Sequence, residues 1–220
     1  MKRVRLGRSG LMVSSLAIGT LTMSPLQKNL PPERGAEILL YAAEKGVNLF
    51  DTAQYYDTYE PLRLALKKRP DLLVSTKSYA YDRAGAEAAF EEARKALDMD
   101  VIPIFLMHEQ EDRLTLKGHR EAFDFYLEQK AKGKLLAVGF STHRVAAVDY
   151  APRYPGVDVV FPLINVTGVG IPDGTRDEMA EAIRRAHLGN IGIYAMKPLG
   201  GGHLIADPKQ AFDYLRGLGT

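Results

Sequence analysis

The stretch VNLFDTAQYYDTYEPLRLALKKRPDLLVSTK, residues 47–77, predicts one complete strand–helix–strand unit. Residues 47–51 and 72–77 are short apolar runs, which are typical of buried strands. Between them, residues 60–68 place apolar side chains at the spacing of an amphipathic helix. Because both strands are apolar on both faces, they indicate a parallel sheet covered by helices.

The same alternation continues along the chain and predicts seven strand–helix units. The strands are expected at residues 16–19, 47–51, 72–77, 101–108, 135–140, 157–162 and 191–196, and the helices at 32–45, 60–68, 83–97, 119–132, 143–150, 176–187 and 208–215. Before these units, residues 4–6 and 11–13 flank Gly7-Arg8-Ser9-Gly10, which predicts a β-hairpin.

The pattern of units favours an α/β fold of the (β/α)₈ TIM-type barrel. No glycine-rich dinucleotide fingerprint follows the first strand, which disfavours an open doubly wound sheet. We predict a single domain over residues 1–220, with the hairpin in 1–13 and βα units 1–7 in 14–220. An eighth unit is not recognisable, so we expect two exposed barrel edges that a homo-oligomer could cover.

Composition excludes several classes of function. Lysine plus arginine, 29, nearly balance aspartate plus glutamate, 27, so no broad positive field for nucleic acid is expected. The absence of cysteine excludes disulfides, thiolate catalysis and cysteine-ligated metal in this chain, and no histidine–carboxylate motif predicts another metal site. No apolar run approaches the ~20 residues of a membrane helix. We expect a cytoplasmic protein without a membrane or nucleic-acid partner.

Ionisable residues follow three successive predicted strands. Asp51, Lys77 and His108 each come directly after an apolar run, and Tyr56 follows Asp51 by five residues. In parallel barrels the active site lies at the carboxyl ends of the strands. A single charge at a strand end usually marks only the emergence of the chain into solvent, but this four-residue set indicates an active site. The neighbouring Tyr55 is a competing phenol.

Several segments together resemble the aldo-keto reductase family. They are FDTAQYY at residues 50–56, Lys77, His108, LGRSGLMVSSLAIGT at 6–20, VGFSTHR at 138–144 and MKPLGGG at 196–202. The resemblance spans Val4 to about Leu204, so the chain is expected to be C-terminally shorter than the family. The MKPLGGG loop is similar to a subgroup whose longer members carry a C-terminal iron–sulfur segment, which this sequence lacks.

The resemblance implies a role for each of the four residues. Tyr56, selected over Tyr55 by the family spacing, would be the general acid that protonates a carbonyl oxygen. Lys77 would lower the pKa of the Tyr56 phenol, and Asp51 would keep Lys77 charged and oriented. His108 would donate a hydrogen bond to the substrate oxygen.

The resemblance also implies a nicotinamide cofactor, NADP(H) or alternatively NAD(H). The residues expected to bind it are Gly19, Thr20, Asp51, Ser141, Asn165, Met196, Lys197, Leu199 and Gly200. Three positions depart from the family pattern: Thr142 replaces an asparagine, Phe161 replaces a common glutamine, and Met196 stands where an aromatic residue often stacks on the nicotinamide.

The predicted function is therefore an NAD(P)H-dependent oxidoreductase that interconverts a small aldehyde or ketone and the alcohol. One alternative is a nicotinamide-binding regulatory or inactive barrel without turnover. Another is a barrel isomerase or aldolase that uses Lys77 as a Schiff-base group. Tyr79 and Tyr81, in the loop at residues 79–82, predict a partly aromatic substrate pocket.

Overall fold

The computed structural model describes residues 1–219 and contains nine strands and eight α-helices in that part of the chain. The strands are β1 (Arg3–Arg5), β2 (Met12–Ser14), β3 (Ala17–Gly19), β4 (Leu49–Asp51), β5 (Leu73–Ser78), β6 (Ile102–Met107), β7 (Leu135–Thr142), β8 (Val159–Pro162) and β9 (Gly192–Ile193). The helices are α1 (Pro32–Glu44), α2 (Tyr59–Lys68), α3 (Arg83–Leu97), α4 (Arg113–Gly118), α5 (Arg120–Ala131), α6 (Val145–Tyr150), α7 (Arg176–Leu188) and α8 (Pro208–Gly217).

The main sheet is a curled, parallel sheet of seven strands in the order β3-β4-β5-β6-β7-β8-β9. Each strand pairs with the next one along the chain, which confirms the predicted alternation of seven parallel strands with helices. Within residues 1–219, β3 and β9 each have a neighbour on one side only, so these residues form a curled half-barrel, consistent with a TIM-type barrel that has seven recognisable units.

The strands are apolar on both faces because each face packs into a separate cluster. On β6, Phe105 and Met107 face the helices and pack into the larger outer cluster. Ile104 and Leu106 point to the opposite face and pack inside the curl of the sheet. This two-sided burial is the physical basis of the uninterrupted apolar runs in the sequence.

The predicted hairpin is present as the antiparallel pair β1–β2 and covers the end of the sheet where its strands begin. Leu6 packs into the inner cluster, and the backbone N–H of Arg8 donates to the carbonyl of Asn190 over 2.7 Å. Gly7 has φ +49° and lies so close to Gly192 that a Cβ atom would come within 2.2 Å of the Gly192 nitrogen. The hairpin therefore leaves only the carboxyl ends of the strands open.

Most elements lie within two residues of their predicted bounds, and two differ more from the prediction. β9 is shorter than the predicted strand at 191–196, because it has one neighbour and its pairing continues only as a bridge between Leu163 and Met196. α4 was not predicted; the Asp112 side chain begins it by accepting from the N–H groups of Leu114 and Thr115. Within residues 1–219, the helices all fall short of the length and apolar character that crossing a bilayer requires.

Candidate active site

A buried ion pair lies at the carboxyl ends of β4 and β5. The Nζ atom of Lys77 is 2.6 Å from Oδ2 of Asp51 and also donates to the Thr52 carbonyl over 2.6 Å. Only 1% of the Lys77 side chain and 7% of the Asp51 side chain are exposed. Since β4 and β5 pair in parallel with Asp51 opposite Ser75, Lys77 lies two residues further on the same face of β5.

Tyr194 completes the surroundings of Asp51 and was missed by the sequence analysis. Its hydroxyl is 3.0 Å from Oδ1 of Asp51 and 2.7 Å from Oγ of Ser75. Its ring stacks on Phe161 with a centroid distance of 4.1 Å. In the sequence it lies within an apolar run and resembles packing, although a buried tyrosine hydroxyl normally has a polar partner, which was the available signal.

Tyr56 is the tyrosine that lies next to Lys77 and His108. It ends a short 3-10 helix after β4, and Nζ of Lys77 is 5.1 Å from the centroid of its ring. The Tyr56 and His108 rings meet edge to face at 5.8 Å. Tyr55, by contrast, is 64% exposed and stacks on Tyr79. The geometry thus separates the two phenols that the sequence analysis weighed against each other.

His108 follows β6 directly and is buried against the Tyr79 ring, with 4.2 Å between the two centroids. Its Nδ1 atom is buried without a hydrogen-bond partner among the described residues. Burial, followed by the charges of Lys77 and His143, lowers the pKa of His108 to about 3. The imidazole is therefore neutral near pH 7 and carries a single N–H to donate.

The pKa of the Tyr56 phenol is raised, mainly by burial and further by the carboxylates of Asp51 and Glu109. Burial and these two carboxylates thus outweigh the lowering that was expected from Lys77. The Lys77 charge is balanced by Asp51 at 2.6 Å, and its Nζ lies over the Tyr56 ring. Burial also lowers the pKa of Lys77 and raises that of Asp51, while their mutual attraction opposes both shifts.

Two of the predicted cofactor residues are Ser141, near the end of β7, and Asn165, after β8, and their side chains differ in whether they are free to bind a ligand. Oγ of Ser141 accepts from the backbone N–H of Glu109 over 2.9 Å, so its own hydroxyl proton remains free to donate. The Asn165 side chain donates to the Val169 carbonyl over 2.9 Å and accepts from the Thr167 hydroxyl over 3.1 Å. Asn165 is thus engaged in its own loop.

The predicted cofactor residues at the end of β3, Gly19 and Thr20, also differ in their exposure. Gly19 is exposed, and a Cβ atom there would meet no other atom within 4 Å. Thr20 is buried, and its hydroxyl lies 3.2 Å from the Asp51 carbonyl and 2.7 Å from Oγ1 of Thr58. Thr20 therefore links β3 to β4 through hydrogen bonds.

The loop after β9 offers exposed backbone and positive charge. Met196 and Leu199 are half-buried, whereas Lys197 is exposed. Residues 200–202 are glycines with φ of 57°, 67° and 107°, and a Cβ at the second or third would meet nothing within 4 Å. The N–H groups of Gly200 and Gly202 already donate to the carbonyls of Lys197 and Leu199. The exposed charge of Lys197 suits an anionic phosphate group, and the Ser141 hydroxyl suits a carboxamide. These residues therefore fit a nicotinamide dinucleotide, with Asn165 as the exception.

Comparisons with known proteins agree with this geometry. The model of the aldo/keto reductase family matches residues 15–215. A Pseudomonas aeruginosa protein classed with the aldo-keto reductases has a TM-score of 0.81 at 23% identity, over 98% of this chain and 85% of that chain. The holo form of an aldo-keto reductase from Bacillus halodurans has a TM-score of 0.75 at 20% identity, over 92% and 68%.

A Bombyx mori aldo-keto reductase in complex with NADP has a TM-score of 0.71 at 17% identity, over 90% of this chain and 66% of that chain. At these identities the solved structures show a shared fold.

Proposed function

Because the chain belongs to the aldo/keto reductase family, we propose that it is a nicotinamide-dependent oxidoreductase that reduces a small aldehyde or ketone to the alcohol. The observation that carries the proposal is the buried Asp51–Lys77 pair beside Tyr56 and His108 at the carboxyl ends of β4, β5 and β6. NADP(H) is the proposed cofactor, because family members bind it and the Bombyx mori relative is an NADP complex. NAD(H) is the alternative.

The bound cofactor would supply the hydride that reduces the carbonyl carbon. The Ser141 hydroxyl would donate to the nicotinamide carboxamide, and Met196 would pack beside the ring. Lys197 and the backbone at Leu199 would hold the phosphates, whereas the N–H of Gly200, which was also expected to bind the cofactor, already donates to the Lys197 carbonyl.

Tyr56 would donate its proton to the carbonyl oxygen. Its raised pKa keeps the phenol protonated near neutral pH, so Tyr56 has a proton to donate. When the proton leaves, negative charge develops on Tyr56 close to the ammonium of Lys77, which stabilises it. The same raised pKa disfavours the phenolate, which is the form of Tyr56 that would act as the base in alcohol oxidation.

His108 would position the substrate oxygen. Its neutral imidazole can donate one hydrogen bond to the oxygen that Tyr56 protonates, and stacking on Tyr79 restricts the orientation of the ring. The Tyr79 ring, which stacks on His108, would also form an aromatic wall of the substrate pocket.

Replacement of Tyr56 tests the proposal, with Tyr55→Phe as the matched control. Tyr56→Phe should reduce kcat for carbonyl reduction at least ~100-fold, since general acid catalysis contributes about 10²–10⁴-fold. NADPH affinity, followed by fluorescence titration, should change less than about twofold, because the ring is retained. Tyr55→Phe should behave like the wild type. Equal turnover by Tyr56→Phe and the wild type contradicts the proposal.

The alternative functions have different expected results. Saturable NADPH binding without reduction of any carbonyl in a broad panel would support a regulatory barrel. A Schiff-base mechanism requires a free amine, whereas Lys77 is almost fully buried and bonded to Asp51 and Thr52. Borohydride trapping with carbonyl compounds should therefore leave Lys77 unmodified.

A further inference from the structure

Asp51 is held by two partners from different parts of the chain. Its Oδ2 oxygen contacts Lys77 on β5 at 2.6 Å. Its Oδ1 oxygen lies 3.0 Å from the hydroxyl of Tyr194, which directly follows β9. Since Tyr194 and Asp51 are 143 positions apart in sequence, this contact exists only because the sheet curls far enough to bring β9 towards β4.

The direction of these hydrogen bonds follows from the chemistry of the groups. An ionised carboxylate only accepts, so the Tyr194 hydroxyl donates to Asp51. That hydroxyl has a single proton, and it therefore accepts the hydrogen bond from Ser75 over 2.7 Å. Ser75 therefore donates to Tyr194, and Tyr194 donates to one oxygen of Asp51. The other oxygen of Asp51 accepts from the ammonium of Lys77.

We propose that Tyr194 is a positioning residue, which keeps the Asp51 carboxylate ionised and oriented so that it holds Lys77 beside Tyr56. The catalytic part of this proposal rests on the proposed reductase function, whereas the effect on Asp51 does not. Tyr194 is expected to act through Asp51 and Lys77, without touching the substrate.

The ring of Tyr194 is itself fixed. It stacks on Phe161 at 4.1 Å with an angle of 13° between the planes, and Nζ of Lys77 lies 5.1 Å from the centroid of the same Phe161 ring. Phe161 thus packs against both the tyrosine and the lysine. A rigid ring delivers its hydroxyl to Asp51 with little loss of side-chain entropy when the hydrogen bond forms.

Several charged or titratable groups lie on the elements around Asp51. Lys77 lies on β5, Tyr56 on the 3-10 helix after β4, and His108 and Glu109 after β6. Attraction by Lys77 and the Tyr194 hydrogen bond both lower the pKa of Asp51 against the larger effect of burial. A hydrogen bond to a charged group corresponds to about one to two pKa units, so its removal should raise the pKa of Asp51 by that amount.

The first test compares Tyr194→Phe with Tyr154→Phe. Tyr154 is a buried tyrosine whose hydroxyl donates to the Leu116 carbonyl over 2.9 Å, so Tyr154→Phe removes a tyrosine hydroxyl and its hydrogen bond away from the site. Infrared difference spectra against Asp51→Asn report the protonated carboxyl of Asp51 without any turnover. The pH at which that band appears should rise by about one to two units in Tyr194→Phe and stay constant in Tyr154→Phe. Equal titration in both variants overturns the proposal.

Ser75→Ala provides a second variant with the Tyr194 ring intact. It removes only the donor to the Tyr194 hydroxyl, so we expect a smaller shift of the Asp51 titration in the same direction. This variant decides the question if Tyr194→Phe fails to fold, since an unshifted titration would then refute the chain of hydrogen bonds.

The catalytic consequence is measured as the pH profile of carbonyl reduction. A raised pKa of Asp51 should move the acid limb of kcat to higher pH by about one unit, with KM for the carbonyl nearly unchanged. Loss of packing alone would lower kcat at every pH alike. Absence of turnover in the wild type contradicts the proposed function, while the infrared titration still decides the role of Tyr194.

Discussion

Replacing Lys77 by methionine should leave a buried charge without its counter-charge. Methionine keeps the length of the side chain but removes the ammonium that contacts Asp51 at 2.6 Å. Removal of one partner from a buried ion pair costs about 3–5 kcal/mol. Because whole domains are stable by only about 5–15 kcal/mol, Lys77→Met should lose a large share of its free energy of unfolding.

The pH dependence of that loss has a definite sign. Without Lys77, burial should hold the pKa of Asp51 above its unfolded value, so the folded state binds more protons than the unfolded state. Stability then falls as pH rises from the unfolded pKa, about 3.9, through the folded pKa. The deficit of Lys77→Met should therefore be largest near pH 7.5 and smaller near pH 5.

The double variant Lys77→Met/Asp51→Asn separates charge from packing. An amide at position 51 is neutral and can still accept from Tyr194, so the double variant should recover more than half of the lost stability and its pH dependence. Urea unfolding followed by far-ultraviolet circular dichroism measures both effects, and it suits a chain that has no tryptophan. A single variant within about 1 kcal/mol of the wild type at pH 7.5, or a double variant less stable than the single, refutes the reasoning.

Three further predictions concern groups around the site. Glu109→Gln removes a carboxylate that raises the pKa of Tyr56, so the increase of alcohol oxidation with pH should begin at lower pH; an unchanged pH profile contradicts this. His108, with a pKa lowered to about 3, should show imidazole NMR signals that do not titrate between pH 5 and 8, and a midpoint near 6.5 would refute its neutrality. Asp112→Ala removes the N-cap of α4 and should lower the free energy of unfolding, measured by urea titration, by about 1 kcal/mol. An unchanged free energy of unfolding contradicts a stabilising N-cap.

The sequence predicted well what depends on local pattern. Periodicity and apolar runs predicted the parallel strands. The positions of Asp51, Lys77 and His108 at the ends of those runs predicted that they lie together at the carboxyl ends of the strands, where the structure has them. These predictions succeed because neighbouring parallel strands bring their carboxyl ends together whatever the details of packing.

Features that depend on distant contacts could not be predicted in this way. Tyr194 meets Asp51 through the curvature of the whole sheet, and its spacing in sequence carries no sign of that contact. The direction of the Tyr56 pKa shift depends on the extent of burial and on Glu109, neither of which a local motif reveals. Asn165 is a residue type that suits cofactor binding, but both the nitrogen and the oxygen of its side-chain amide are hydrogen-bonded within its own loop.

The contact between Gly7 and Gly192 has a consequence for the order of folding. Arg8 and Asn190, which bond beside it, are 182 positions apart, so the hairpin cannot dock until most of the chain is available. At a synthesis rate of about 5–20 residues per second, the nascent hairpin waits roughly 10 to 40 s for its partner. Closing so long a loop also places this contact among the late and slow events of refolding. The hairpin, although it is synthesised before the main sheet, is thus among the last elements to reach its final place.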